Sequence, residues 1–332
     1  MTSVLTRLRE RRAEVNKTVV QYGVPYMDDA TGGIGAGELV IIGAATGAGK
    51  TETLSAIAQN IAKTDRVCFY ALEAHDLEIQ ERILYRMVSD VYFKLDAGHR
   101  PKLATGFLNF YDYHRGFYGN ALDAIEQGVL PDFERVTKNI TFVYPTEVGP
   151  ETLSLDIEAR MQDGYSVFIV DHLHALEYGA DELDGIKRAL RVCDRIVNHK
   201  KTAMIMASHL RKGDKFQKGF PDLNELHGSS EISKKATGVF LIGAHTGGTF
   251  GALDHEIPTL IHAGKFRLEG GVKAWFGLHK FDTHARKFSS NYILMKRSFN
   301  DRGKEVFDAH QGAKPMWARR GMCLRKDGGG MC

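Results

Sequence analysis

The sequence predicts an α/β protein with a mostly parallel central sheet flanked by helices, and three observations carry that reading. Short apolar runs alternate with stretches of helical periodicity, each run ends in small or polar residues, and a glycine-rich turn joins the first run to the first long helical stretch. At 332 residues, 43% apolar and 26% charged, the chain has material for a large core, which excludes a disordered polymer. No apolar run approaches the roughly 18 residues of a membrane span. The start MTSVLTRLRERRAEV lacks the apolar centre of a secretory signal, so neither a membrane partner nor export is expected. Cys68, Cys193, Cys323 and Cys332 have neither CxxC spacing nor the density of a disulfide framework. A reducing, cytoplasmic compartment without structural zinc is the expectation.

Residues 1–22 form a first appendage, where Val4, Leu5, Leu8 and Val15 among arginines predict a short amphipathic docking helix. Glu10 and Glu14 argue against a transit peptide, which is poor in acids. A core domain is expected over 23–295. Its parallel strands are read at 39–42, 67–72, 140–144, 167–170 and 203–207. Between them Leu54, Ile57, Ala58 and Ile61 fall at i, i+3, i+4, i+7, and Leu183, Ile186, Leu190, Cys193 and Val197 mark a second helix. After Gly238 the pattern changes: 239–242, 259–262 and the alternating Val272, Ala274, Phe276 and Leu278 read as antiparallel strands added on the C-terminal side. Residues 296–332 form the second appendage, with nine Lys/Arg against four Asp/Glu. The whole chain carries only +3, too little to point to nucleic acid by itself.

Directly after the first run stands Gly43-Ala44-Ala45-Thr46-Gly47-Ala48-Gly49-Lys50-Thr51, followed by a helical pattern. A strand, a turn of this composition and a helix form a phosphate-binding loop: glycines let backbone N–H groups curl around phosphate oxygens, and the helix start adds free donors and a positive dipole end. Lys50 is expected to reach the β- and γ-phosphates of ATP or another NTP, and Thr51 to ligate Mg²⁺. The strict pattern wants glycine at Ala44, so this position must have negative φ.

In an open α/β sheet, ligands bind outside the carboxyl ends of the strands. Asp171, ending the run VFIV, has the form of a metal-holding acid or of a strand-terminating turn residue. Glu73, ending 67–72, suits either a water-activating carboxylate or a cap of the helix over 77–91. His209, after 203–207, reads as a γ-phosphate sensor or an ordinary surface histidine. His172 and His174 point the same way without a third ligand and are read as structural.

These residues resemble the RecA-like ATPase domain of DnaB-type ring-shaped replicative helicases, nearest to the helicase half of phage primase-helicases and Twinkle. The anchors are GGIGAGELVIIGAATGAGKT, ALEA at Glu73, FIVDHLHAL at Asp171, and the segment from MASHLRKGDKF to ATGVFLI. The resemblance implies a RecA-like P-loop NTPase, a homo-oligomeric ring that is hexameric by analogy, single-stranded DNA and the replication fork as partners, and 5′–3′ unwinding. It implies that Lys265 and Arg267 are basic fingers inserted by a neighbouring subunit, where the residues alone read as a solvated strand. Phe281 takes the place of an aromatic that stacks on adenine, or of a core strand residue.

The segment 211–221 corresponds to a DNA-contacting loop. Arg211, Lys212, Lys215 and Lys218 face Asp214 alone and are interleaved with Phe216 and Phe220, so cations would track the backbone and aromatics stack on bases. An exposed polar loop is the plain alternative. With about 22 residues before the core, priming is not expected of this chain, and a primase or polymerase partner is undefined. The basic tail, unlike the acidic tail of phage relatives, touches DNA or stays disordered. A RecA- or RadA-type recombination ATPase and a non-motor ATP-gated DNA-binding scaffold are the alternatives that the same residues leave open.

Overall fold

The computed structural model describes residues 3–17, 19–145, 148–176, 182–200, 202–211, 219–248, 250–267 and 272–319. Helix α1 (Val4–Lys17) comes first, followed by α2 (Pro25–Thr31), strand β1 (Glu38–Ala44) and α3 (Lys50–Ile61). Then come β2 (Val67–Ala71), α4 (Asp76–Lys94), α5 (Phe110–His114), α6 (Asp123–Thr137), β3 (Ile140–Val143), α7 (Pro150–Gln162) and β4 (Val167–Asp171). Next are α8 (Glu182–Lys200), β5 (Ala203–His209), α9 (Ser229–Lys235), β6 (Gly238–Ala244), β7 (Glu256–Phe266), β8 (Phe276–Asp282), β9 (Lys287–Phe288), β10 (Ile293–Phe299) and β11 (Glu305–Ala309).

The strands form one sheet in the order β11-β10-β8-β7-β6-β1-β5-β4-β2-β3, with β9 paired to β8. Six strands from β3 to β6 are parallel and the rest antiparallel. Successive side chains of β1 point to opposite faces, so Val40 and Ile42 join one core cluster and Leu39 and Ile41 the other. The first face is covered by Leu54, Ile57, Ala58 and Ile61 of α3, the second by Ile186, Leu190, Cys193 and Val197 of α8. Leu183, expected on the same stripe, is 45% exposed. Helices α4 to α6 hold a satellite core of Tyr85, Val88, Tyr92, Leu108, Leu122 and Val129, an insertion between β2 and β3 of which the sequence pattern announces only the helix over 77–91.

Three expectations change. Strand β6 is parallel to β1, not antiparallel, because α9 carries the chain back before it begins. Val272 and Ala274 lie in a 3₁₀ turn, and the following strand starts at Phe276. The boundary after 295 falls inside β10, which pairs with β8 and β11, and Ala318 is fully buried while Trp317 packs edge-on to Tyr26. The sheet thus absorbs the first part of the segment read as a basic tail.

Glu52, the residue after Thr51, is 3% exposed on the inner side of α3. Arg82 Nη1 donates to its Oε2 at 2.7 Å, Arg286 Nε donates to the same oxygen at 2.7 Å, and Arg86 Nη1 donates to Oε1. Burial pushes the carboxyl upward, but Arg86, Arg286 and Arg82 outweigh it and hold Glu52 below the usual carboxylate range. The group tethers α4 and the β8–β9 turn to the loop helix. Removing one member of a buried ion group strands the remaining charges at a cost of about 3–5 kcal/mol. Glu52→Gln should therefore lower the urea-unfolding free energy by about that amount. Because the folded pKa is depressed, the stabilisation is fully present above the unfolded value of about 4.3 and fades as pH falls through the folded one. Unfolding curves of wild type and variant should converge below about pH 4, and a constant gap across that range would contradict the assignment.

Candidate nucleotide site

Parallel pairing builds the site. Ala44 at the end of β1 lies opposite His209 at the end of β5, and Asp171 at the end of β4 lies opposite Ala71 of β2, two residues before Glu73. The strand end, the expected sensor and both acids therefore share one edge of the sheet. The loop 45–49 is exposed above them. Gly47 and Gly49 take φ of 77° and 80°, a left-handed conformation that a side chain would strain, whereas Ala44 keeps extended backbone as its methyl group requires.

Lys50 begins α3 and is 5% exposed. Its Nζ curls back to donate to Ala44 O at 3.1 Å and Ala45 O at 2.9 Å. Burial lowers its pKa, while the nearby Asp171 and Glu73 carboxylates favour its charged form. Asp171 is 1% exposed, and among the described residues no donor meets full hydrogen-bond geometry at either carboxylate oxygen. Burial raises its pKa, opposed by the Thr51 hydroxyl, His172 and Lys50. A buried carboxylate with unsatisfied oxygens beside a threonine hydroxyl suits a hard divalent cation, so Asp171 and Thr51 fit Mg²⁺.

Glu73 is 55% exposed and its Oε2 lies 3.3 Å from His172 Nε2. The N-cap of α4 is His75, so Glu73 does not take the capping role that sequence alone allows. His209 Nδ1 lies 3.5 Å from Thr46 Oγ1, within the loop's reach. Behind it stand His172, whose ring centroid is 4.1 Å away, and His174 at 5.5 Å. Burial, with His227, His172 and His209 around it, pushes His174 down to about 3. Here the reading of His172 and His174 as lacking a third ligand is corrected: the fold brings Glu73 and His209 to His172, with ligand atoms of all three within 4.8 Å of one another. Each histidine flanks a motif, but nothing in the sequence places β4 beside β5.

Phe281 sits near the end of β8 on the same edge of the sheet, partly buried against Phe288 with centroids 5.2 Å apart. Lys265 and Arg267 are not brought to the loop of their own chain. Lys265 pairs with Val239 at the start of β6, away from the edge where that strand ends. Lys265 Nζ donates to Ser233 O and Ala236 O at 2.5 Å, and Arg267 Nη2 to Lys234 O at 2.8 Å, around the C-terminal end of α9. Burial and the adjacent Arg267 push Lys265 down to about 8. Of the expected DNA loop, Arg211 is exposed with its backbone N–H donating to Glu225 O at 2.7 Å, while Lys212, Lys215 and Lys218 lie outside the described residues. Phe220 cannot stack on a base, because it is 6% exposed and packs edge-on to Phe276 and Phe307.

Residues 19–110 match the family model of the DnaB-like helicase C terminal domain. The fold is similar to that of a solved structure described as an ATPase domain, with a TM-score of 0.68 and 15% identity over 86% of this chain and 96% of that one. It is similar also to a DnaB-like replicative helicase described with its interactions with primase, with a TM-score of 0.65 and 16% identity over 87% of this chain and 67% of that one. No curated protein matches the chain in sequence. The fold is accordingly the RecA-like one of DnaB-type helicase domains, as the sequence resemblance implies. Among the described residues no helix is long and apolar enough to cross a membrane.

An unsatisfied buried carboxylate is retained against stability. Asp171→Asn should raise the unfolding free energy of the nucleotide-free chain by about 0.5–2 kcal/mol at neutral pH. The sign follows from the raised pKa: ionisation of the folded group is disfavoured, so its contribution is most favourable below about pH 4 and is lost as pH rises through the folded value. Chemical denaturation at pH 7 showing the Asp171→Asn variant less stable than wild type would contradict this.

Proposed function

We propose that the chain is the motor of a ring-forming, DnaB-type replicative helicase that hydrolyses ATP or another NTP, translocates 5′–3′ on single-stranded DNA and unwinds duplex. The observation that supports it most is the meeting of Lys50, Thr51, Asp171 and Glu73 at one sheet edge beneath the loop. Loop N–H groups and Lys50 hold the β- and γ-phosphates, with Lys50 giving up its carbonyl contacts to do so. Thr51 and Asp171 hold Mg²⁺, which when bound neutralises charge on the phosphates. Glu73, solvent-facing, orients and deprotonates the attacking water. His209, on the strand leading to Arg211, couples the γ-phosphate to the segment that contacts DNA. Phe281 stacks on the base.

Lys265 and Arg267 act on a neighbour's nucleotide, since their place at the start of β6 keeps them from their own. The exposed Val4, Leu5 and Leu8 of α1 supply an apolar face for the adjacent subunit. A primase is a partner to test, because one of the similar helicases is described with its interactions with primase.

Removing one such transition-state group costs about 3–4 kcal/mol, so Glu73→Gln and Arg267→Ala should each lower the hydrolysis rate by roughly 10²–10³-fold. Mixed one to one, the two inactive variants should regain activity, because about a quarter of randomly formed interfaces pair an intact Glu73 with an intact Arg267. Hydrolysis measured against protein concentration, with and without single-stranded DNA, completes the test. A mixture as inactive as its parts, or a rate per chain independent of concentration and DNA, would sink the ring motor.

A further inference from the structure

The trio of Glu73, His172 and His209 has a chemistry that the nucleotide site does not use. Its donors are one carboxylate oxygen and two imidazole nitrogens, all within 4.8 Å of one another. Mg²⁺ takes oxygen ligands, whereas a set of two imidazoles and a carboxylate suits Zn²⁺ and its borderline neighbours such as Co²⁺. Ligands held about 2.0–2.1 Å from a tetrahedral ion stand about 3.3 Å apart. His172 Nε2 and Glu73 Oε2 are already 3.3 Å apart, and the remaining separations are at most 4.8 Å, so the His209 ring must shift toward the pair to complete the set. The carboxylate faces solvent and His172 is 7% exposed beneath it, so an ion has an entry on one side and a wall on the other. Three protein ligands with the fourth position open to water are an arrangement that zinc takes outside its closed structural sites.

We propose that Glu73, His172 and His209 bind a transition-metal cation of the Zn²⁺ class beside the Mg²⁺–nucleotide site, and that its occupancy reversibly arrests hydrolysis. The metal site stands on the geometry alone. The arrest rests on the proposed motor reading, for the ion takes the carboxylate that would activate water and the imidazole that would sense the γ-phosphate. The far nitrogen of His172, Nδ1, is buried with no orienting partner among the described residues. Such partners are worth about 10–100-fold in affinity, so this ion exchanges instead of serving as a structural one.

The test titrates the full-length, nucleotide-free chain with Co²⁺, followed by visible absorption, and with Zn²⁺, followed by calorimetry. Wild type should bind one equivalent with a four-coordinate Co²⁺ spectrum. His172→Ala should lose more than the roughly 10–100-fold that outer-shell changes cost. Glu73→Gln, at an exposed position that folding tolerates, should do the same, while His255→Ala, in the stacked His255–His284 pair elsewhere, should bind as wild type does. Micromolar Zn²⁺ added over excess Mg²⁺ should stop hydrolysis, and a chelator should restore it. An equivalent bound equally by wild type, His172→Ala and Glu73→Gln, or no binding, overturns the site. Binding that leaves hydrolysis intact overturns the arrest. A chain with no hydrolysis at all counts against the motor, while the metal titration still decides the site.

Discussion

Everything at the nucleotide edge depends on parallel register in the strands β1, β5, β4 and β2. Ala44 faces His209, Val170 faces Met206 and Ala71 faces Asp171. A slip of one residue would turn each strand's side chains to the other face, exposing the two cores that Val40 and Leu39 enter from opposite sides. The same slip would carry Asp171 away from Lys50 and Thr51. Packing and chemistry are specified together, since the hydrophobic pattern that fixes the register also fixes where each strand's first polar residue emerges.

That arrangement gathers groups which the core would otherwise exclude. Lys50, Asp171 and His172 are all buried, and among the described residues the Asp171 oxygens and His172 Nδ1 lack partners in full hydrogen-bond geometry. The opposing stabilisation lies one residue along α3. Thr51 turns toward Asp171, whereas Glu52 turns inward to Arg82, Arg86 and Arg286. The loop helix thus carries unsatisfied groups on one side and an anchor on the other, and α3, α4 and the β8–β9 turn form one mechanical unit. Arg286, at φ 53°, is held in left-handed backbone at that anchor.

The strands of the parallel core are legible in the sequence because each is a short apolar run closed by a polar residue, and the loop because its glycines, lysine and threonine stand between a strand and a helix. The meeting of Glu73, Asp171 and His209 at one sheet edge is legible for the same reason: in this class of sheet the residue after each run emerges at the edge where ligands bind. What stays hidden is tertiary. The sequence offers Arg82 and Arg86 four apart on a helix, but neither Glu52 nor Arg286 is near them in the chain. Val239 to Ile242 looks the same whether parallel or antiparallel, and only the return through α9 decides. Phe220 misleads because an aromatic among lysines resembles a stacking platform until β8 and β11 are found closing over it.

Electrostatics gives a reason for the site to be completed by another molecule. A nucleoside triphosphate carries roughly four negative charges, of which Mg²⁺ and Lys50 together offset about three. Asp171 and Glu73 add further negative charge at the same edge, and His174 is held neutral by burial. Hydrolysis moves charge onto the departing phosphoryl group, so a deficit tolerated in the bound state becomes a barrier in the transition state. Lys265 and Arg267 are cations kept away from the loop of their own chain, donating to backbone carbonyls at the end of α9. On the proposed motor reading, a single protomer would hold nucleotide more easily than split it, and hydrolysis would be coupled to assembly through the two cations at the end of one strand.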